Sequence, residues 1–446
     1  MKALRIPQLP DRARLMTYAV LLATRGSYIL SRLVVALALP LIVNVEALGK
    51  FGVFSGLAAG LPLVMAFGLP EHATRRLNRG LNRPVFRALV VQTVLGFFAA
   101  FFVSALWLAV YPDIDHRTIV IVAGIVALTY LRGNLGMVLL GRGAVIRSNM
   151  TFAVATSGPF FAILAALVLP RGTVDLTIIC LAWFVTCIAG IVIALPGSWH
   201  DLVDLSGARV GRVSLLFVRQ VRILVGLRHI YINQIIDLVR TYLDRMVLPL
   251  MAGFHLAGIY NVFALATSVA VMVPNALCGQ VDLARLVETA RDDQAAYRRI
   301  VTAGTVRAAL VAVMMTGPLF LMKPAVDAIL KLDLDPGLYY ALCAGSMFAA
   351  MLAAVADYLW YAIYAARAER GLSCYAMPTI ILSVILLVGC IAGFGLIGAS
   401  LAVVVTNASV VLFRARVLAA YLAQRMPAEV ASPLAAGLVP ALDKAS

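Results

Sequence analysis

The sequence predicts an all-α polytopic membrane protein, with about twelve transmembrane helices forming two six-helix bundles around a central cavity. Three observations predict it. Of the 446 residues, 63% are hydrophobic and only 13% are charged, with a mean hydropathy of +0.97; a soluble domain carries about 25% charged residues. Apolar windows of about 20 residues, each about 30 Å long as a helix, recur along the chain. Finally, the chain resembles itself when shifted by 209 positions.

The windows fall at 17–45, 52–73, 88–111, 118–140, 149–169, 176–196, 229–252, 257–279, 300–322, 338–366, 374–393 and 396–413. The first follows a basic segment, 1–16, with Lys2, Arg5, Arg12 and Arg14. Its apolar run is too long for the core of a cleaved leader, so it reads as a span that stays. The windows are too long and too continuous for barrel strands, which need only about ten alternating residues. A basic cytoplasmic linker, 197–228, separates the sixth window from the seventh. The last two windows are joined by FGLIG, a tight turn using Gly395 and Gly398. The final helix is expected to run to about residue 422, carrying Arg414 and Arg416 into the headgroups, before a cytoplasmic tail, 423–446. The bundles are thus 17–196 and 229–422.

Charge sets the orientation. With the N-terminus in the cytoplasm, about 26 Lys and Arg fall in cytoplasmic segments. About five fall outside: Lys50, Arg117, Arg171, Lys323 and Lys331. That is the positive-inside pattern, with both termini cytoplasmic, and it accounts for most of the net charge of +16 without nucleic acid. The basic loops RRLNRGLNRPVFR and RVGRVSLLFVRQVRILVGLR suit anionic membrane lipids. The six cysteines lie in apolar segments without metal-ligand spacing, and the five histidines form no HExxH cluster, so no metal or cofactor is expected.

At the offset of 209, Gly49 meets Gly258, Phe51 meets Tyr260, Val53 meets Val262 and Phe54 meets Phe263; Val64, Arg76 and Leu77 meet Val273, Arg285 and Leu286. The second and eighth windows therefore correspond, and the halves run in the same orientation. Parallel repeats related by an axis along the membrane normal are a transporter architecture.

Six arginines fall within windows: Arg25, Arg32, Arg132, Arg240, Arg245 and Arg307. Four acids join them: Glu71, Asp237, Asp244 and Asp357. Each arginine at mid-helix costs roughly 2.5–3.5 kcal/mol, so six facing lipid would cost on the order of 15–20 kcal/mol. They must face a watery cavity, pair with acids, or snorkel. Asn233, Asp237, Arg240 and Asp244 form one stripe of the seventh helix, with Arg240 in reach of either Asp237 or Asp244. Arg245, nearer the outside, can snorkel. Arg25 and Arg32 share a face of the first helix with Tyr28 between them; Arg25 lies near enough to the cytoplasmic end to snorkel. Arg132 and Arg307 lack an acid on their own helices, and Asp357 lacks a base. The positive excess describes a cationic cavity for an anionic ligand, because the guanidinium fork binds two oxygens at once.

Three segments carry a family resemblance. LIVNVEALGKFGVFSGLAAGLPLVMAFGLPEHATRRL resembles the first two helices of polysaccharide (O-antigen or exopolysaccharide) flippases of the multidrug/oligosaccharidyl-lipid/polysaccharide exporter superfamily. YINQIIDLVRTYLDRMVLPLMAGFHLAGIYNVFALATSVAVMVPNAL resembles their seventh and eighth helices, and FGLIGASLAVVVTNA their last hairpin. The resemblance implies a non-enzymatic transporter of the bacterial plasma membrane. It would flip an undecaprenyl-pyrophosphate-linked oligosaccharide from the inner to the outer leaflet by alternating access, in concert with other polysaccharide-assembly membrane proteins. By the same resemblance, Arg25, Arg32, Arg132, Arg240 and Arg307 would hold the pyrophosphate or acidic sugars. Asp237 and Asp357 would couple transport to a proton or sodium gradient, as in an antiporter.

Rivals are a drug exporter of the same superfamily, whose organic cations would want an acidic cavity, and a lipid II flippase, with fourteen spans against twelve here. A membrane saccharide transferase or polymerase would need acid–base side chains in a long outside loop. The longest outside loop here, KPAVDAILKLDLDPG, offers only Asp327, Asp333 and Asp335.

Overall fold

A computed structural model describes residues 11–70, 83–142, 144–170, 174–206, 225–330 and 334–424. These residues are helical with no strand among them, and helix occupies each of the twelve apolar windows. The fold class is all-α. Glu71 and most of the linker, of the N-terminal segment and of the tail lie outside the described residues, as does the side chain of Arg25. The chain divides into two compact units, Met1–Gln234 and Ile235–Ser446.

In the first unit, α1 is Asp11–Ile42, α2 Val45–Met65, α3 Arg83–Leu108, α4 His116–Gly141, α5 Val145–Thr156, α6 Gly158–Val168 and α7 Leu176–Ser206. Side chains cap the starts of α2 and α4. The Asn44 Oδ1 accepts from Ala47 N at 2.7 Å, and the Asp115 carboxylate from Thr118 N at 2.9 Å. Each cap satisfies one of the amides that a helix start leaves unpaired. The bond from Thr118 holds the Asp115 carboxyl below its ordinary range. α2 and α4 form the interior, with Phe51, Phe54, Val122 and Val126 fully buried. α3 turns Phe98, Phe102 and Leu106 outward, a surface that only lipid would favour. α5 and α6 bend by 45° at one span. Gly158, just after the bend, has no room for a Cβ, which would lie 2.3 Å from the Trp183 Cα of α7.

The second unit is built on α8, Arg228–Pro274, whose first residues belong to the first unit. Gly253, at φ 80°, breaks α8 into two arms. Tyr260 touches Asp244 and Ser268 touches Arg245 across that break. Sixteen residues of straight helix would separate Asp244 and Tyr260 by about 24 Å, so the arms fold back as a hairpin. After a π-helical turn, Asn275–Gly279, come α9 Gln280–Asp292, α10 Gln294–Thr316, α11 Lys323–Leu330, α12 Pro336–Ala366 and α13 Ser373–Gln424. Gly395, at φ 56°, breaks α13 as the FGLIG turn requires. Tyr297 and Tyr358 lie fully buried in this unit's core, packed with Ala308, Ala312, Ala350 and Ala354.

The two units repeat a packing device. In the first, Tyr130 of α4 lies over Gly96 of α3 and donates to the Gln92 carbonyl four residues earlier, at 2.8 Å. In the second, Tyr358 of α12 lies over Gly304 of α10 with its hydroxyl 3.2 Å from the Ile300 carbonyl, also four residues earlier. Gly96 and Gly304 stand 208 positions apart, within one residue of the sequence repeat. Phe54 and Phe263, paired by that repeat, are both buried.

Candidate functional site

Unpartnered guanidiniums mark the first unit. Arg132 on α4 is 4% exposed, and its Nε and Nη1 have no hydrogen-bond partner. Its guanidinium carbon lies 3.8 Å from the centre of the Phe152 ring on α5. Phe152 meets Tyr28 of α1 edge-on, the centroids 6.4 Å apart. Tyr28 in turn lies 5.8 Å from the guanidinium of Arg32, whose Nε is also buried without a partner. Arg132, Phe152, Tyr28 and Arg32 thus form a cation–ring–ring–cation chain across three helices. Each cation–ring contact is worth roughly 0.5–2 kcal/mol, less than the cost of leaving a charged donor unsatisfied. Arg32 is close enough to act on Arg132 electrostatically, and no carboxylate among the described residues pairs with either. The arrangement can accept an anion, since it holds two forked donors with open valences.

The sequence-predicted residues of the second unit are neutralised instead. Arg240 on α8 donates through Nε to Asp237 Oδ1 at 2.8 Å, through Nη2 to Asp357 of α12, and through Nη1 to Asn407 of α13 at 3.3 Å. Arg414 of α13 donates to the same Asp237 oxygen at 2.9 Å and to the Ala356 carbonyl at 2.9 Å, with Trp360 beside it. Asn275, in the π-turn, donates to Asp357 Oδ2 at 2.8 Å. Two arginines and two aspartates cancel, and the cluster ties three helices and the turn together. The expectation that Arg414 reaches the headgroups is corrected: it is 1% exposed. Distance from the last apolar window points to the headgroups, whereas α13 keeps one face buried past that window, with Arg414, Val417 and Leu418 on it. The spacing of Asn407 and Arg414, seven apart and so on one helical face, was the available signal.

Arg307 on α10 bonds to Asp282 Oδ2 of α9 at 2.7 Å, and Tyr358 donates to the same oxygen at 2.8 Å. Its side chain is 54% exposed, so this is a rim pair. Of the two acids offered to Arg240 by the helical stripe, the structure selects Asp237; Asp244 accepts from Tyr260 Oη at 2.6 Å. Arg245 does not snorkel. It is buried and donates to the Ala264 carbonyl at 2.7 Å and to Ser268 Oγ at 2.5 Å, inside the hairpin. Periodicity could not find Asp282, Tyr260 or Asn275, because each meets its partner across a turn. No group of three metal-ligating side chains exists among the described residues.

No protein-family model matches the chain, and no curated protein is similar to it in sequence. Solved structures are similar in fold. A lipid II flippase MurJ in an inward closed conformation superposes with a TM-score of 0.58 at 12% identity, over 92% of this chain and 91% of its own. An inward-facing multidrug resistance MATE family transporter of the MOP superfamily gives 0.54 at 13% identity, over 90% and 96%. The chain has the fold of these transporters. At such identities the likeness is one of fold alone, and chemistry must be argued from the chain's own side chains.

Proposed function

We propose that this protein is a bacterial plasma-membrane transporter that flips a lipid-linked oligosaccharide from the inner to the outer leaflet by alternating access. The carrier would be undecaprenyl pyrophosphate, and both termini would be cytoplasmic. The observation that carries the reading is the Arg32–Arg132 pair, a half-buried and a buried guanidinium with no carboxylate on them among the described residues. A pyrophosphate offers several oxygens to such forked donors. Similarity in fold to a lipid II flippase supports the same reading. In the second unit Arg240 and Arg414 neutralise Asp237 and Asp357, so this pair of acids is not open to an organic cation; this weighs against export of cationic drugs.

The test is where lipid-linked oligosaccharide accumulates when the gene is deleted, read with a membrane-impermeant saccharide-modifying enzyme on spheroplasts. Accumulation in the protected inner leaflet, restored by wild type but not by Arg132→Ala at equal abundance, is the expected result. Outer-leaflet delivery without the protein, in a strain lacking redundant transporters, would overturn the reading in favour of drug export.

A further inference from the structure

The hairpin of α8 holds an acid that none of the preceding chemistry uses. Asp244 is 5% exposed. Its Oδ2 accepts from Tyr260 Oη at 2.6 Å, and its Oδ1 is buried with no partner. Asp237 and Asp357 each take guanidinium donors, and Asp282 takes one from Arg307. Asp244 takes none. Arg245 follows it in sequence and acts on it electrostatically without a hydrogen bond from the guanidinium: its Nη2 donates to the Ala264 carbonyl and Ser268 Oγ, and its Nε is buried without a partner. Arg240, one turn away on the same arm, is engaged by Asp237, Asp357 and Asn407. Tyr260 faces Asp244 from the second arm. Tyr339 of α12 packs on Phe263, nearly one turn beyond Tyr260, and donates its own hydroxyl to the Leu319 carbonyl. Among the described residues these are the charged and titratable groups around the site.

An ionised carboxylate with a dry, unbonded oxygen is among the costliest groups a membrane helix can carry. One proton removes the charge at far lower cost than an unsatisfied anion. A guanidinium does the opposite for Asp237 and Asp357, since a paired cation favours the charged carboxylate. We propose that Asp244 is a proton-binding site, neutral in this conformation. The proton rides on Oδ1 while Oδ2 keeps the Tyr260 bond. Resting on the transport reading above, Asp244 is then the acid through which a proton gradient drives export, in place of Asp237 and Asp357. A turn of the hairpin that opened Oδ1 to water would release the proton.

The experiment is infrared difference spectroscopy of the full chain in lipid nanodiscs at neutral pH. Wild type is expected to show the carbonyl stretch of a protonated carboxyl, downshifted in heavy water. Asp244→Asn should lack that band, while Asp237→Asn and Asp357→Asn keep it. Tyr260→Phe retains the acid but deletes the hydrogen bond, so the band should move to higher frequency; this variant decides the matter should Asp244→Asn fail to fold. Survival of the band in Asp244→Asn, its absence from wild type, or an unmoved band in Tyr260→Phe overturns the proposal. So does loss of the band on adding sodium at constant pH, which would make the site a metal-cation site. Export by wild type should respond to an imposed pH gradient, and export by Asp244→Asn should not. A wild type that moves no lipid-linked saccharide would remove the transport reading and leave the infrared result standing.

Discussion

The two units share a packing device and differ in what they do with buried arginine. Gly96 under Tyr130 and Gly304 under Tyr358 are the same arrangement, down to the carbonyl that each hydroxyl reaches. Yet Arg132, two residues after Tyr130, is left without an acid, while Trp360, two residues after Tyr358, flanks an arginine bound to Asp237. A common scaffold therefore carries an open cation in one unit and a closed ion cluster in the other. The physical lesson concerns cost. A satisfied buried ion cluster is tolerable but contributes little net stability, whereas an open buried cation is a liability that only a ligand relieves.

The largest effect should come from breaking the closed cluster. Asp357→Ala leaves two buried arginines to share Asp237, removes the Nη2 acceptor of Arg240, which is 6% exposed, and takes from Asn275 its acceptor. A loss of about 3–5 kcal/mol is expected, read as a fall in unfolding temperature in detergent. If Asp357→Ala unfolds like wild type, the cluster is not a structural tie and the contrast between the units fails.

The open cation should behave in the opposite way. Arg132→Met removes a charged group with two unsatisfied donors and keeps an apolar body against Phe152. Stability is expected to rise by about 1–3 kcal/mol, while export falls at least tenfold. Arg132→Lys should also lose export, because a point charge does not reproduce the planar fork over the ring. A variant less stable than wild type would mean that Arg132 holds the bundle together rather than waiting for an anion.

These contrasts also mark how far the sequence could be read. The helices were legible because their signal is one of length: among the described residues helix occupies every window, and Gly395 breaks the chain where FGLIG predicts a turn. The arginines of the first unit were legible as unpaired because neither helix offers an acid within a turn. Pairing across helices was not legible. Asp357 looked unpartnered because its bases come from α8 and α13, more than fifty residues away in either direction. Arg414 looked interfacial because burial depends on neighbours that a hydropathy window does not see. The choice between Asp237 and Asp244 as partner of Arg240 was open at the level of spacing, and the hairpin decided it by supplying Tyr260.

The matched glycines sharpen the comparison further. A Cβ on Gly96 would lie 2.3 Å from Tyr130 Oη, and one on Gly304 would lie 1.9 Å from Tyr358 Oη. Each alanine substitution forces the tyrosine to move, at about 1–3 kcal/mol of overpacking. The consequences should diverge, because Tyr358 donates its proton to Asp282, the partner of Arg307. Gly304→Ala should cost more than Gly96→Ala, and Tyr358→Phe should remove most of the difference. Equal costs in a double-mutant cycle would show that the Asp282 bond adds nothing to the shared device.

The smallest effect tests a feature outside the contrast altogether. Asp115 caps α4, the helix that carries Arg132, and it lies near the surface, where its bond from Thr118 lowers the carboxyl's pKa. Asp115→Ala is expected to cost about 1 kcal/mol. The sign with pH follows from the lowered pKa. The folded state binds its proton more weakly than the unfolded chain, so the contribution is present above the ordinary aspartate range and fades as pH falls through the lowered value. Wild type and Asp115→Ala should therefore converge in unfolding temperature in acid and separate towards neutral pH. A difference independent of pH would assign the loss to helix propensity in place of the carboxylate cap, and would leave α4 positioned by its packing against α2, α3, α5 and α7.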